Sequence, residues 1–353
     1  MIFYILFLLL ISILAAIAHF YSDSRKIAEI SIVIILIIIA GFRDTIGADY
    51  NSYVYWYLQK ARDSDFEFGF LAVMKLFRRL QLTPEFLFFF FSFFTILLFY
   101  LGFKKFTTNI AIALLFFVLI PSLFLTSFTL VRQSLAVAIG FYSFHFLLQK
   151  RYLAYCLWML LGIGFHKSLL IPSVLFVLVY KYVNYFNIKV ICCILFGAFA
   201  IAQLNLINIF SVLFENSRYS YYFKHNLNEV NTYKLILLNL ECILILFYFE
   251  KLKGKYLQHH YIVVLYCLSI ALINLFSKNY DMSRMATYFR VFEVVIIADV
   301  IFLEFKLKRL LLLSTFYILY FGAFINGINT DFNRYHGKVP TFIPYKNLLL
   351  KNE

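Results

Sequence analysis

Apolar residues run through this chain in long blocks that do not alternate, as from Ile30 to Ala40 and from Phe86 to Phe103. Blocks of about 17–25 apolar residues match helices crossing a hydrocarbon core of about 30 Å. Strands of a membrane barrel would alternate in segments of about ten residues. The pattern therefore predicts an all-α polytopic membrane protein with about twelve transmembrane helices. They fall near 2–20, 27–41, 86–103, 110–126, 130–149, 152–165, 168–182, 189–210, 234–250, 260–277, 284–304 and 310–328. The first block has no basic residue ahead of it and reads as an uncleaved helix. No repeat or linker divides the chain, so residues 1–353 are expected to form a single transmembrane domain, with 41–85 and 211–233 as larger external loops.

The short loops set the orientation. Arg25-Lys26, Lys104-Lys105, Lys150-Arg151, Lys181 with Lys189, Lys251 with Lys253 and Lys255, and Lys306 with Lys308-Arg309 occupy alternate loops. The positive-inside rule assigns that set to the cytoplasm, which places both termini outside. Within the first outer loop, Phe66 to Leu80 carries apolar residues at helical spacing with Lys75, Arg78 and Arg79 among them. It reads as an amphipathic helix, either on the outer membrane surface or solvated in the loop.

Composition agrees with this pattern. Hydrophobic residues make up 63% of the chain and charged residues 14%, against about 25% charged in soluble domains. The net charge of +14 is spread singly and in pairs between apolar runs, which favours topology and anionic lipid or substrate over nucleic acid. Cys156, Cys192, Cys193, Cys242 and Cys267 lie in apolar stretches with no CxxC pair or histidine at ligand spacing, and read as small buried hydrophobes; no metal site is expected. There is no GxxxxGK or GxGxxG loop, and no cofactor is expected. His259-His260 falls in a basic loop and reads as surface.

Five polar clusters resist a purely topological explanation. They are 41–53 with Arg43, Asp44, Asp49 and Tyr53; 131–134 with Arg132 and Gln133; 165–168 with His166 and Lys167; 217–223 with Arg218 and Tyr219; and 283–290 with Arg284, Tyr288 and Arg290. All sit at the outward ends of spans, which predicts an outward-facing polar cavity. Arginine offers phosphate a bidentate, permanently charged fork. Tyrosine stacks on sugar rings, aspartate accepts from hydroxyls, and histidine suits proton transfer near neutral pH. Together these types fit a lipid-linked, phosphate-bearing sugar. Each also has a plainer reading: Arg43 with Asp44 as an interfacial ion pair, the tyrosines as an aromatic belt, His166 as a structural histidine. A cation at the helix start of Arg132 opposes the dipole unless an anion accompanies it. His166 is the preferred base and Asp49 a hydroxyl or arginine ligand, with the two roles open to exchange.

GFRDTIGADYNSY, FEFGF at 66–70, VRQSLA at 131–136, FHKSLLI at 165–171 and PYKNLL at 344–349 occur in an order that resembles the EpsG/Wzy-type polysaccharide polymerases of bacterial inner membranes. Asp44 departs from that pattern. The resemblance implies a glycosyltransferase that joins oligosaccharide repeat units carried on undecaprenyl diphosphate, at the outer face of the inner membrane. The product would be O-antigen, capsule or exopolysaccharide, and a chain-length regulator and a flippase would be partners beside the bilayer itself. The alternative is a flippase for lipid-linked oligosaccharides, but spans nearly bare of charge at their centres favour an enzyme.

Overall fold

In the computed structural model, helix follows helix through the described residues, 1–59, 66–204, 229–255, 258–335 and 339–350. Among these there is no strand, and the extended pairing present is an isolated antiparallel bridge between Arg43 and Asn347. The expected spans overlap helices among the described residues, although the one near 110–126 is continuous helix only to Leu119 and the one near 189–210 extends past the described residues. Five helices are long and apolar enough to cross a bilayer, and four shorter apolar helices accompany them. The protein is a polytopic helical membrane protein.

The chain divides into two compact units, Met1–Leu170 with Ile297–Glu353, and Ile171–Ile296. The first contains α1 (Ile2–Phe20), α2 (Arg25–Gly41), α3 (Tyr50–Leu58), α4 (Phe68–Arg79), α5 (Pro84–Phe106), α6 (Ile110–Leu119), the short α7 (Thr126–Thr129), α8 (Val131–Leu148) and α9 (Tyr152–Phe165). The second contains most of α10 (Leu170–Tyr182), then α11 (Ile188–Gln203), α12 (Thr232–Phe247), α13 (Phe249–Lys255), α14 (His259–Leu275) and α15 (Tyr280–Ser283). α16 (Thr287–Ile301) passes back into the first unit, and α17 (Lys306–Tyr335) follows.

α8 is the core helix of the first unit, buried on almost every side and flanked by α5 and α9. Phe99, Phe103 and Phe106 of α5 enclose Phe141 of α8. The outer helices differ. α1 buries Tyr4, Phe7, Leu8 and Ile11 yet leaves Ile2, Leu6 and Ile13 exposed. α9 likewise exposes Leu153, Leu157 and Leu160. A helix apolar on its outward face as well as its inward one is matched to hydrocarbon rather than water. α4 is the contrasting case: Phe70 and Met74 are buried, while Lys75, Arg78 and Arg79 share the helix. Its Arg78 donates to the carbonyls of Trp56 at 2.6 Å and Tyr57 at 2.7 Å, capping the C-terminal end of α3.

Two expectations are corrected here. Cys156, Cys192 and Cys193 are exposed, and only Cys242 and Cys267 are buried, because α9 and α11 present apolar residues outward as well as inward. His259 and His260 are buried at the start of α14, where His260 Nε2 lies 2.9 Å from the Phe186 carbonyl oxygen. In the second unit Asn239 and Asn274 exchange hydrogen bonds of 2.8 and 2.9 Å, which satisfies two amides between apolar helices.

A fully buried guanidinium orders the segment after α2. Arg43 donates to the carbonyls of Ala40, Ile46 (3.3 Å) and Phe128 (3.1 Å) and to Ser92 Oγ (3.2 Å). The Phe88 and Phe128 rings flank it at 4.8 and 5.1 Å. Its backbone neighbours hold the C-terminal tail, with Asp44 N donating to Lys346 O at 3.0 Å and Leu348 N to Phe42 O at 2.8 Å. Gly47 closes the turn with φ +98°, and a Cβ there would stand 2.4 Å from the Phe128 carbonyl oxygen. Both conformation and space demand glycine. Gly47→Ala should therefore lower unfolding stability by roughly 1–3 kcal/mol, read as thermal unfolding of the detergent-solubilised protein; an unchanged transition would show that the turn does not depend on this contact.

Candidate functional site

Arg132 lies in the first turn of α8, where the helix dipole is already positive. The anion that reconciles it is a protein carboxylate, Glu67, which immediately precedes α4. Arg132 Nη1 donates to Glu67 Oε2 at 2.5 Å. Its Nε lies 3.5 Å from the Tyr53 hydroxyl, and the rings of Phe70, Phe66 and Tyr53 stand 5.1, 5.2 and 6.0 Å from the guanidinium carbon. Among the described residues Nη2 has no protein partner, and the side chain keeps 18% of its surface exposed. This leaves a guanidinium that is positioned but still has a donor to give.

The second carboxylate oxygen of Glu67 faces α9. His166 breaks that helix with an extended backbone (φ −155°, ψ 112°). Its Nδ1 comes 3.3 Å from Glu67 Oε1, close enough for an ion pair but off the line of a hydrogen bond. The backbone N–H of Lys167 donates to the same oxygen at 3.3 Å. One carboxylate thus joins the starts of α4 and α8 to the end of α9. Gly69 permits that approach: a Cβ there would lie 2.8 Å from the carbonyl oxygen of Gly164, so α4 and α9 meet backbone to backbone.

Burial on its own would raise the Glu67 carboxyl. The His166 imidazole and the Arg132 charge outweigh it and hold the carboxyl at about 2. Glu67 is ionised throughout the neutral range. It can orient an imidazole and hold a guanidinium, but it is a poor proton acceptor. Burial also raises the Tyr53 hydroxyl above its ordinary value, with Arg132 opposing, so Tyr53 remains a neutral donor near pH 7.

The other candidates divide by environment. Asp49 stands just before α3, one turn ahead of Tyr53. Gln133 and Asp44 are buried. Arg43, expected to grip phosphate, is instead occupied by the chain's own carbonyls and is unavailable in this structure. In the second unit Arg284 pairs with Asp281 at 2.7 Å and lies 5.6 Å from the Tyr280 ring. Arg290 forms a buried fork with Glu293, both bonds 2.8 Å; this partner, one turn along α16, turns a candidate phosphate ligand into an internal pair. Tyr288 is fully buried. Arg218 and Tyr219 lie outside the described residues. Glu67 is the residue that the pattern of cations did not single out. Its signal was the glutamate of FEFGF, standing immediately ahead of an amphipathic helical pattern.

A depressed carboxyl stabilises the fold above its free value and loses that contribution as pH falls toward its folded one. The Glu67 contribution should be constant above about 4.5 and vanish between there and about 2. Wild type minus Glu67→Gln, followed by thermal unfolding across pH 7 to 3, should show a difference that shrinks only at the acid end. A difference independent of pH would mean that the carboxylate is not the group responsible.

Comparison with known proteins adds one finding. No curated protein and no solved structure matches the chain. The family model described as the EpsG family matches residues 26–347, a span that takes in Arg43, Gly47, Glu67, Arg132, His166 and the tail bridge at Asn347, and the chain belongs to that family.

Proposed function

We propose that this protein is a polysaccharide polymerase, a membrane glycosyltransferase that joins oligosaccharide repeat units carried on undecaprenyl diphosphate at the outer face of a bacterial inner membrane. EpsG membership supports a polymerase-like role. The observation that carries the finer reading is the meeting of Arg132, at the start of α8, and His166, at the end of α9, on the sequence-distant carboxylate of Glu67, with an unpartnered guanidinium donor beside a partly exposed imidazole.

The chemistry follows from the parts. A hydroxyl of the incoming unit attacks the anomeric carbon of the growing chain. The new carbon–oxygen bond forms as the bond to the lipid diphosphate breaks, and the electron pair leaves with the diphosphate. Glu67 facing Nδ1 favours the tautomer with its proton there, which leaves Nε2 of His166 to accept the hydroxyl proton. The free Nη2 of Arg132 meets the charge that grows on the leaving diphosphate, where a preorganised cation is most effective. Tyr53 and Lys167 border the same cluster and contact sugar or phosphate oxygens, and Asp49 binds a sugar hydroxyl. No nucleotide is needed, because the donor is already activated. The partners are the lipid-linked glycans, with a chain-length regulator and a flippase.

His166→Ala should slow polymerisation roughly 10²–10⁴-fold, the usual worth of a general base, while lipid-linked repeat units still bind. Arg132→Lys should also lose much activity, since a point charge replaces the fork. The assay is the ladder of products from purified protein and labelled lipid-linked units. His166→Ala within a few-fold of wild type, with Asp49→Asn inactive, would exchange their roles. Single units moved across the bilayer without ladders would support a flippase instead.

The membrane face is tested separately. In a cysteine-free background, a cysteine at Asp49 should react with impermeant reagent from outside, and one at Lys253 only after permeabilisation. Labelling of position 49 from the cytoplasm alone would overturn the orientation.

A further inference from the structure

A polar cavity lies at the end of the first unit away from α4. α5 is 23 residues long, so roughly 33 Å separates its two ends. Pro84 begins it, on the side of α4. Lys104 and Lys105 end it, and there a cavity of about 390 Å³ opens between the α1–α2 and α5–α6 turns. Arg25, Lys26 and Lys104 line it, together with Thr107, Thr108 and Glu29.

Two helices begin at this cavity, α2 at Arg25 and α6 at Ile110, and both residues are in its wall. Neither start has a side-chain cap hydrogen bond. The positive ends of two helix dipoles therefore lie at the same space as three cations, an arrangement suited to an anion with several oxygens. The floor is fixed. Thr107 Oγ1 donates to Asp299 Oδ1 at 2.5 Å, Asn109 Nδ2 donates to the same oxygen at 3.0 Å, and the Asn109 N–H donates to Thr107 Oγ1 at 3.0 Å. Asp299 itself is buried behind the wall. Arg25 is tied by its Nε to the Ala18 carbonyl at 3.2 Å, which leaves both terminal nitrogens for a ligand. Against three cations the lining holds one carboxylate, Glu29.

We propose that this cavity binds a phosphate group, as the headgroup of an anionic phospholipid or as free phosphate. The inference does not rest on the polymerase reading. A lipid headgroup suits a basic pocket among helix ends, with its acyl chains against the exposed apolar face of α2, at Ile27 and Ile30.

The test uses the purified full chain in two arms. In the first, retention of dioleoylphosphatidylglycerol and of dioleoylphosphatidylcholine is compared by native mass spectrometry. In the second, inorganic phosphate is titrated while thermal unfolding is followed. Two double variants remove equal charge: Arg25→Gln with Lys104→Gln in the cavity, and Lys150→Gln with Arg151→Gln in another basic turn. The cavity pair should weaken retention of the anionic lipid roughly tenfold to thirtyfold, and the control pair should leave it within about twofold of wild type. Glu29→Gln removes the opposing carboxylate and should tighten binding, a gain that misfolding cannot imitate. Protection by inorganic phosphate that the cavity pair abolishes, with no preference between the lipids, would support the site with a soluble ligand. The proposal fails if neither probe distinguishes wild type from the cavity pair, if the control pair loses as much, or if Glu29→Gln weakens binding.

Discussion

The Arg43 guanidinium is solvated by its own chain. A buried cation without acceptors would cost several kcal/mol, and here carbonyls from two separate segments and one hydroxyl supply them. Those acceptors belong to the end of α2, the turn that follows it, α5, and the residue three positions ahead of α8. Gly47 presses against the same Phe128 carbonyl that Arg43 binds. The turn and the start of α8 are thereby fixed to one another. α3 leaves that turn carrying Asp49 and Tyr53, and α8 leaves Phe128 carrying Arg132. The contact between Tyr53 and Arg132 is thus a consequence of how one buried charge is satisfied.

The helices were legible in the sequence because hydrocarbon demands unbroken apolar runs and leaves backbone groups no partner but the helix itself. α1, α5 and α8 fall where those runs fall, within a few residues. The amphipathic α4 was legible for the opposite reason, since its cations recur among apolar residues at helical spacing. The number of crossings was less so. α6 ends at Leu119, although the apolar run continues toward Thr126: Pro121 lacks the N–H a helix needs there.

Arginine shows where reading by residue type stops. Arg43, Arg132 and Arg290 looked alike as cations at span ends. Arg43 is occupied by carbonyls, and Arg290 by a glutamate one turn along its own helix. Arg132 meets a glutamate 65 residues away and keeps a donor free. Which fate an arginine meets depends on the acceptors that tertiary structure brings to it. The Glu293 partner lay within reach of local spacing; the carbonyls and Glu67 did not.

Glu67 also explains why the site need not rely on loop geometry. Its two oxygens face different helices, Oε2 toward α8 and Oε1 toward α9. Movement of either helix breaks one contact and leaves charge uncompensated in a half-buried place, so the carboxylate resists separation in both directions. The Gly69–Gly164 approach supplies the complementary constraint. It lets α4 come close enough for Glu67 to reach His166, and steric contact prevents it from coming closer. An imidazole and a guanidinium are therefore held at a fixed spacing by one attraction and one repulsion, both from short-range contacts within the same unit. That is the rigidity the proposed transfer calls for, since a base has to stay within reach of the attacking hydroxyl while a cation stays on the leaving group.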